Sequence, residues 1–596
     1  MGIMQAFKSQ KRSFPAMFMR GEYFFVALFF VLLWGAILGG SGSLFSGYHL
    51  ADDHEILRIQ EDLSMNTWGS VFTKWFRKDL NESHRFRPFY FIHRVLLTKW
   101  LGANFTAWLF YAGVLAVLTS FLLYYGGRLT SFSWLDSTLF VLLVLLGPQA
   151  VIWWSLGPNE NIAILLLAAS WVCMLLAIRH PRYRFCFRST MVAFAILSAL
   201  SKESFILMIP ALVYLMVWSH RLHNRTSWSR AWKANSWAVL VLLTFTISVL
   251  LIIGANVGFG GYGAQGGGIS HFDLSLFIRA AITAIDVSLS FSTIGVGLVI
   301  LLCAFLFLFF SSKKNDRSFT PNAVSSLILF GLIITPQFMI YARCGIFGRY
   351  ILPLMLGYAG LLISFLEFLR KDDCRFSFER KNLIKILLTF MVVFVLIGYL
   401  FVSRSFFEKK DFLLFKRFSV VAILIVMGIF MAILYWAVCA TRHNKHGFSL
   451  YRFGFWLTVC LVVYKLMLSF VGARTFAQEG RENKALFSFL EEHTGPQDNI
   501  MVINDEKNFR GEAAFAIEEF LRIKCGRPQI SFFAPPTFTG TCPQHQDDET
   551  LPGSASCVVI FSVHENDILQ CPPAWFKRKE YERVQIGYFM VYFLVK

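Results

Sequence analysis

Charge is scarce in this chain: Asp, Glu, Lys and Arg make up 16% of 596 residues, against 56% hydrophobic residues, and mean hydropathy is +0.56. So little charge over such a length excludes an ordinary soluble chain and indicates a polytopic membrane protein. Acidic residues are the scarcer sign, 37 against 56 basic, for a net charge of +19. The basic residues fall at alternate connections rather than along one face, which speaks against a nucleic-acid partner. No CxxC pair is present, which weakens a zinc reading. No internal repeat is evident, and the polar tail has neither a glycine-rich phosphate loop nor a nucleophile elbow. The first apolar stretch lacks a convincing small-residue cleavage site, so it is expected to remain as an anchor.

What is present is a series of apolar stretches, each of about 17 to 25 residues and long enough for a bilayer core of about 30 Å. They predict about 13 spans. The expected starts are near Tyr23, Phe105, Trp134, Asn161, Met191, Ser204, Trp237, Ser292, Asn322, Ile351, Leu383, Ser419 and Gly454, with the Met191 and Ser204 spans short. Basic clusters around Lys8 to Arg20, Arg179 to Arg188, Arg221 to Lys233 and Lys313 to Arg317 predict a cytosolic N-terminus. An odd span count then puts the first long loop (41–104) and the tail (473–596) on the periplasmic or lumenal side. The expected organisation is therefore a multi-span catalytic domain over 1–472 followed by a soluble α/β domain. In the tail, strand-like runs near Asn499, Ser556 and Tyr588 flank a helical pattern from Glu512 to Ile523. Its four cysteines, Cys525, Cys542, Cys557 and Cys571, are expected to form two disulfides, with three connectivities open. A glycine-rich run from Gly260 to Gly268 reads as a mobile loop.

The chemistry concentrates at the expected outer ends of the spans. Asp52 and Asp53 follow span one directly, and a helix starting at Asp52 would align it with Ile56, Ile59 and Leu63. A carboxylate on such an apolar face is desolvated, its pKa rises, and it suits a general base. The bland alternative is helix capping. Farther along the loop, Arg85 and Arg87 precede Pro88 and can fork onto phosphate oxygens, or simply anchor the segment at headgroup depth. Lys202 and Glu203 interrupt an apolar stretch too long for one span and read as lining a polar cavity, or as neutralising each other. Arg343, Arg349 and Tyr350 stand at the entrance of a later span, where a snorkelling arginine is the plain alternative. Glu160, in the tight turn Trp153 to Glu160, is a weaker candidate to reach the same cavity, since Gly-Pro-Asn is ordinary turn chemistry.

Together, the acidic pair after span one, the Arg-Pro segment, the Lys-Glu turn and Gly348-Arg-Tyr-Ile-Leu-Pro353 resemble the GT-C superfamily of membrane glycosyltransferases. The likeness covers Tyr23 to Leu369 and is nearest to the protein O-mannosyltransferase and lipid A aminoarabinose transferase branch. It implies a sugar donor on a polyprenyl or dolichyl phosphate, a lipid, glycan or protein acceptor, and inversion at the anomeric carbon. It also implies that Asp52 activates the acceptor. The family's usual second residue is Glu where this chain has Asp53, so the base assignment between the two neighbours stays open. By the same resemblance Arg349 and Lys202 meet the leaving phosphate, Arg87 serves the phosphate or positions the loop, Glu203 orients Lys202, and Tyr350 bonds phosphate or sugar. Some branches use a divalent cation, for which Asp52, Asp53 and Glu55 are the nearby carboxylates. The alternatives are a transporter or flippase for lipid-linked saccharides and an O-antigen polymerase or ligase. The expected location is the bacterial inner membrane or, second, the endoplasmic reticulum.

Overall fold

A computed structural model describes residues 16–82, 85–256, 325–326, 328–337, 348–371, 375–376, 448–495, 498, 500–503, 511–526, 530–533, 557–560, 581–587 and 589–594. The helices are α1 (Ala16–Leu38), α2 (His54–Met65), α3 (Trp68–Asn81), α4 (Pro88–Leu101), α5 (Phe105–Leu129), α6 (Trp134–Leu145), α7 (Glu160–Arg179), α8 (Arg184–Ser201) and the single turn α9 (Glu203–Ile206). They continue as α10 (Ile209–Asn224), α11 (Trp228–Asn256), α12 (Ile328–Gln337), α13 (Leu352–Lys371), α14 (Leu450–His493) and α15 (Gly511–Lys524). Among the described residues, eight helical segments are long and apolar enough to cross a membrane, and the chain is an integral membrane protein. They match the expected spans near Tyr23, Phe105, Asn161, Met191, Ser204, Trp237, Ile351 and Gly454. The expected span near Trp134 is only the 12-residue α6, and of the Asn322 span residues 325–326 and α12 lie among the described residues. The Ser292, Leu383 and Ser419 spans and the Gly260–Gly268 loop lie outside the described residues. The Met191 span is longer than expected, because its helix starts at Arg184, just after the Pro181–Tyr183 turn.

Local chemistry sets several of these boundaries. Asn104 caps α5 by accepting the Ala107 N–H at 3.1 Å, Ser133 caps α6 by accepting the Asp136 N–H at 3.0 Å, and Pro88 opens α4, where no amide donor is needed. At 12 residues α6 is about 18 Å long and stops inside the protein, where its last carbonyls have no water to meet. The Gln149 amide donates to the carbonyls of Val144 at 2.8 Å and Leu146 at 2.6 Å, and the buried Lys465 ammonium of α14 donates to that of Leu143 at 2.6 Å. A lysine inside a span is thus explained by a helix end.

The main core joins α1, α5, α6, α7, α13 and α14 through side chains such as Trp34, Tyr124, Trp153, Leu352 and Leu366. A second core joins the first loop to the tail: Tyr48, Ile56 and Leu57 pack with Leu486 and Phe487 of α14, Ile517 and Leu521 of α15, and Phe589. Two short strands, β1 (Arg375–Phe376) and β2 (Phe448–Ser449), pair antiparallel. In the tail, the strands β3 (Ile500–Ile503), β4 (Ile530–Phe533), β5 (Cys557–Ile560), β6 (Tyr581–Ile586) and β7 (Phe589–Leu594) form one sheet, in the order β4-β3-β5-β7-β6. β3 runs parallel to β4 and β5, pairing Ile500 with Ile530 and Cys557, whereas β7 runs antiparallel to β5 and β6. The α/β character of the tail matches its sequence pattern. No break marks position 473, because α14 continues as one helix of 44 residues into the tail. Cys525 lies 3.0 Å from the Glu491 carboxylate; Cys542, Cys571 and the Cys557 side chain lie outside the described residues.

Candidate functional site

Asp52 is not a helical residue. Its φ of +64° is left-handed, a conformation Asp tolerates better than most residues, and α2 begins two positions later at His54. The expectation that Asp52 continues the Ile56, Ile59 and Leu63 stripe is therefore corrected. Ile56 and Ile59 are buried as that pattern predicts, but the turn at Asp52 swings its carboxylate off the stripe. The side chain is 26% exposed and meets Arg349, with Nη1 3.3 Å from Oδ2. Gly157 stands directly against it, and a Cβ there would overlap the Asp52 carboxylate.

Asp53 differs sharply from its neighbour. It is 0% exposed, occupies the N-cap position without a side-chain capping bond, and accepts the His49 backbone N–H at 2.9 Å. It holds the loop together from inside. Glu55 points a third way, accepting the Tyr90 hydroxyl at 3.0 Å, with Arg94 at 3.9 Å. The three carboxylates thus face different partners, and among the described residues no group of three or more His, Cys, Asp or Glu side chains is arranged to hold a metal ion. As placed, they do not fit a divalent cation.

Arg349 and Tyr350 lie on a short 3-10 turn (Gly348–Ile351) that leads into α13. Gly348 is needed there, since a Cβ would stand 2.8 Å from the Pro148 carbonyl oxygen. Lys202 is the extended residue between α8 and α9, with φ −155° and ψ 131°. Its ammonium lies 3.2 Å from Glu160 Oε1 and 4.9 Å from the Tyr350 ring centroid, a cation over an aromatic face. The partner expected for it, Glu203, instead accepts the Phe86 N–H at 3.2 Å. Glu203 thereby ties the Arg-Pro segment to the start of α9. Asp52, Arg349, Tyr350, Lys202 and Glu160 form one continuous charged group.

Arg87 stands apart from it. Its Nε donates to Asp79 Oδ2 at 3.0 Å, Nη2 bonds Oδ1, and the guanidinium lies 4.9 Å from the Tyr90 ring centroid. Burial opposes its charge, but the Asp79 carboxylate, with further help from Glu203, holds its pKa well above the ordinary value. Arg85 sits beside the same pair, its N–H bonded to the Asp79 carbonyl at 3.0 Å. Arg343 lies outside the described residues. Sequence reasoning passed over Asp79 and Arg94 altogether and read Gly157 only as part of an ordinary turn. Arg94 lies seven residues after Arg87, the non-helical residue at the start of α4, and that spacing was the available signal.

Two solved structures resemble the chain. One is the crystal structure of ArnT from Cupriavidus metallidurans bound to undecaprenyl phosphate, at 12% identity and a TM-score of 0.48, covering 97% of this chain and 98% of that one. The other is the same protein in the apo state, at 14% identity and a TM-score of 0.47, covering 95% and 98%. No family model matches the chain, and no curated protein does. At TM-scores below 0.5 the likeness assigns neither residues nor an activity here.

Proposed function

We propose that this chain is an inverting glycosyltransferase of the GT-C type. It moves a sugar from a polyprenyl-phosphate donor to a lipid, glycan or protein acceptor on the periplasmic or lumenal face of a membrane, the bacterial inner membrane first. The observation that carries this reading is the Asp52–Arg349 contact, which brings together residues 297 positions apart in sequence, with Lys202 and Tyr350 alongside. A partly exposed carboxylate paired with one cation, with a second cation on the same tyrosine ring, supplies the groups needed to deprotonate a hydroxyl and receive an anionic leaving group.

In the reaction, Asp52 takes the acceptor hydroxyl proton and the freed oxygen attacks the anomeric carbon. The new C–O bond forms as the bond from carbon to the phosphate oxygen breaks, and polyprenyl phosphate leaves with the electron pair from the opposite face. Negative charge grows on that phosphate, so Arg349 and Lys202 stabilise the transition state more than the ground state. Before the donor arrives, both cations are engaged, by Asp52 and Glu160. The phosphate therefore exchanges with carboxylates already in place, and Tyr350 remains as a wall between the cations. Arg87, Arg85 and Glu203 shape the loop, and Asp53 fixes the turn that presents Asp52. The segment 473–596 is an external domain that buttresses the first loop. A buried lysine within a span suits a transporter, but Lys465 is committed to the end of α6 and leaves that alternative without support.

The test is release of polyprenyl phosphate by purified protein in lipid, from a panel of polyprenyl-phosphate sugars. Turnover of one donor supports the assignment and names the sugar. Transport of a lipid-linked saccharide across the bilayer, without release, would replace it.

A further inference from the structure

We propose that Arg94 is the positioning residue for the Asp52 carboxylate, acting through the backbone of two loops; the inference deepens the glycosyltransferase reading and rests on it. Arg94 projects from α4, and its side chain is 3% exposed. One guanidinium nitrogen, Nη2, donates to the Asp52 carbonyl at 3.2 Å, and the other, Nη1, donates to the Leu156 carbonyl. One rigid fork therefore bridges the turn that carries Asp52 and the turn that carries Gly157, the residue against which the Asp52 carboxylate rests. The fork is itself fixed, with Trp108 of α5 at 5.1 Å and Glu55 at 3.9 Å. Tyr90, one turn earlier on α4, repeats the bridge with its hydroxyl, 3.0 Å from Glu55 and 3.5 Å from the Gly157 carbonyl.

The bridge matters because Asp52 holds a left-handed backbone that its neighbours must impose. Without Arg94, the buried Leu156 carbonyl and the part-buried Asp52 carbonyl lose the charged donor that links their two turns; the Glu55 N–H, 3.3 Å from the Asp52 carbonyl, stays within its own turn. A lysine carries its charge on a single nitrogen and cannot match the fork. Both side chains that meet the donor phosphate in the proposed reaction, Arg349 and Lys202, lie on other elements and stay in place.

Two readouts test the clamp in the full-length protein in lipid. Compared with wild type, hydrogen exchange in Arg94→Lys is expected to accelerate at the backbone amides of 53–56 and of Gly157, Asn159 and Glu160 together, Pro158 having none, while the amides of α15 are unchanged. Kinetically, Arg94→Lys should lower kcat by about 100-fold, the loss that a misplacement near 1 Å produces, with polyprenyl phosphate binding within about twofold of wild type. Gly157→Ala leaves Arg94 untouched and should give a comparable loss of kcat with binding retained, because the added methyl displaces the same carboxylate. Unchanged exchange at both turns, or loss of polyprenyl phosphate binding in step with kcat, would overturn the assignment. If wild type turns over no polyprenyl-phosphate sugar, the glycosyltransferase reading fails, while the exchange experiment still decides whether Arg94 clamps the two turns.

Discussion

The buried pair Asp79–Arg87 offers the sharpest energetic prediction. The side chains are 2% and 8% exposed, and both carboxylate oxygens are engaged by the one guanidinium. Removing only the acid, as in Asp79→Ala, leaves a guanidinium that cannot lose its proton and has little water to meet. A single truncation of such a pair costs about 3–5 kcal/mol. The neighbouring Arg85 amide keeps its bond to the Asp79 backbone carbonyl, so the damage is expected to be electrostatic rather than a local unwinding of α3. Replacing both partners by apolar residues of similar size, Asp79→Leu with Arg87→Met, removes the stranded charge and should recover most of the loss. Reversible unfolding in mixed micelles, followed by tryptophan fluorescence against denaturing detergent, measures all three variants on one scale. A cost below about 1 kcal/mol for Asp79→Ala, in the range of an exposed pair, would refute the reasoning. So would a double variant as unstable as the single one.

Other outcomes follow from the same geometry. Glu519 of α15 accepts from Arg58 of α2 at 2.5 Å and from Arg522 at 2.6 Å, and Arg522 also grips Glu61. Because Arg58 and Arg522 are about a third exposed, Glu519→Ala should cost only about 1–2 kcal/mol, read as a lower Tm; an unchanged Tm would contradict docking of the tail through this network. Burial depresses His49 to about 3, and burial, then the charge of Arg94, depresses His93 to about 4. The unfolded chain therefore binds protons that the folded one refuses, so stability is full above about pH 6.5 and falls as pH drops toward 4. The variant His49→Gln/His93→Gln should flatten that slope in thermal unfolding between pH 4.5 and 7, and an equal slope would exclude these two side chains as its source. Lys465→Met keeps the side-chain length but strips the Leu143 carbonyl of its 2.6 Å donor, for an expected loss of about 1–3 kcal/mol in the same micelle titration. A neutral result there would show that Gln149 alone suffices.

The membrane class and most helix positions were legible in the sequence because apolar length and burial in a bilayer are nearly the same information. Ile56 and Ile59 were equally legible, since an amphipathic stripe records which face is covered. The α/β pattern of the tail was legible for the related reason that short strand-like runs alternate with one helical period. What periodicity does not encode is a change of backbone hand at one residue. The turn at Asp52 breaks the stripe one residue before the N-cap position, and the signal for it lies in its partner Gly157, about a hundred positions away. Ion-pair choice was no more visible. Lys202 stands next to Glu203 in sequence yet pairs with Glu160, because its extended backbone points the two side chains to different elements. Arg87 read as a phosphate ligand, but its acid, Asp79, lies eight residues earlier on the preceding helix. The short α6 was overestimated because its apolar run continues past Leu145 into a turn held by Gln149 and Lys465.

The central claim is that Asp52 moves the proton and Arg349 meets the phosphate. It is tested most directly by single-turnover release of polyprenyl phosphate, alongside polyprenyl phosphate binding, for wild type, Asp52→Asn, Asp53→Asn and Arg349→Gln in lipid. The account predicts that Asp52→Asn binds normally and loses turnover by at least about 100-fold, the lower range for a general base. Arg349→Gln should weaken binding and turnover together, and Asp53→Asn should lose stability before chemistry. Full turnover by Asp52→Asn would contradict the account.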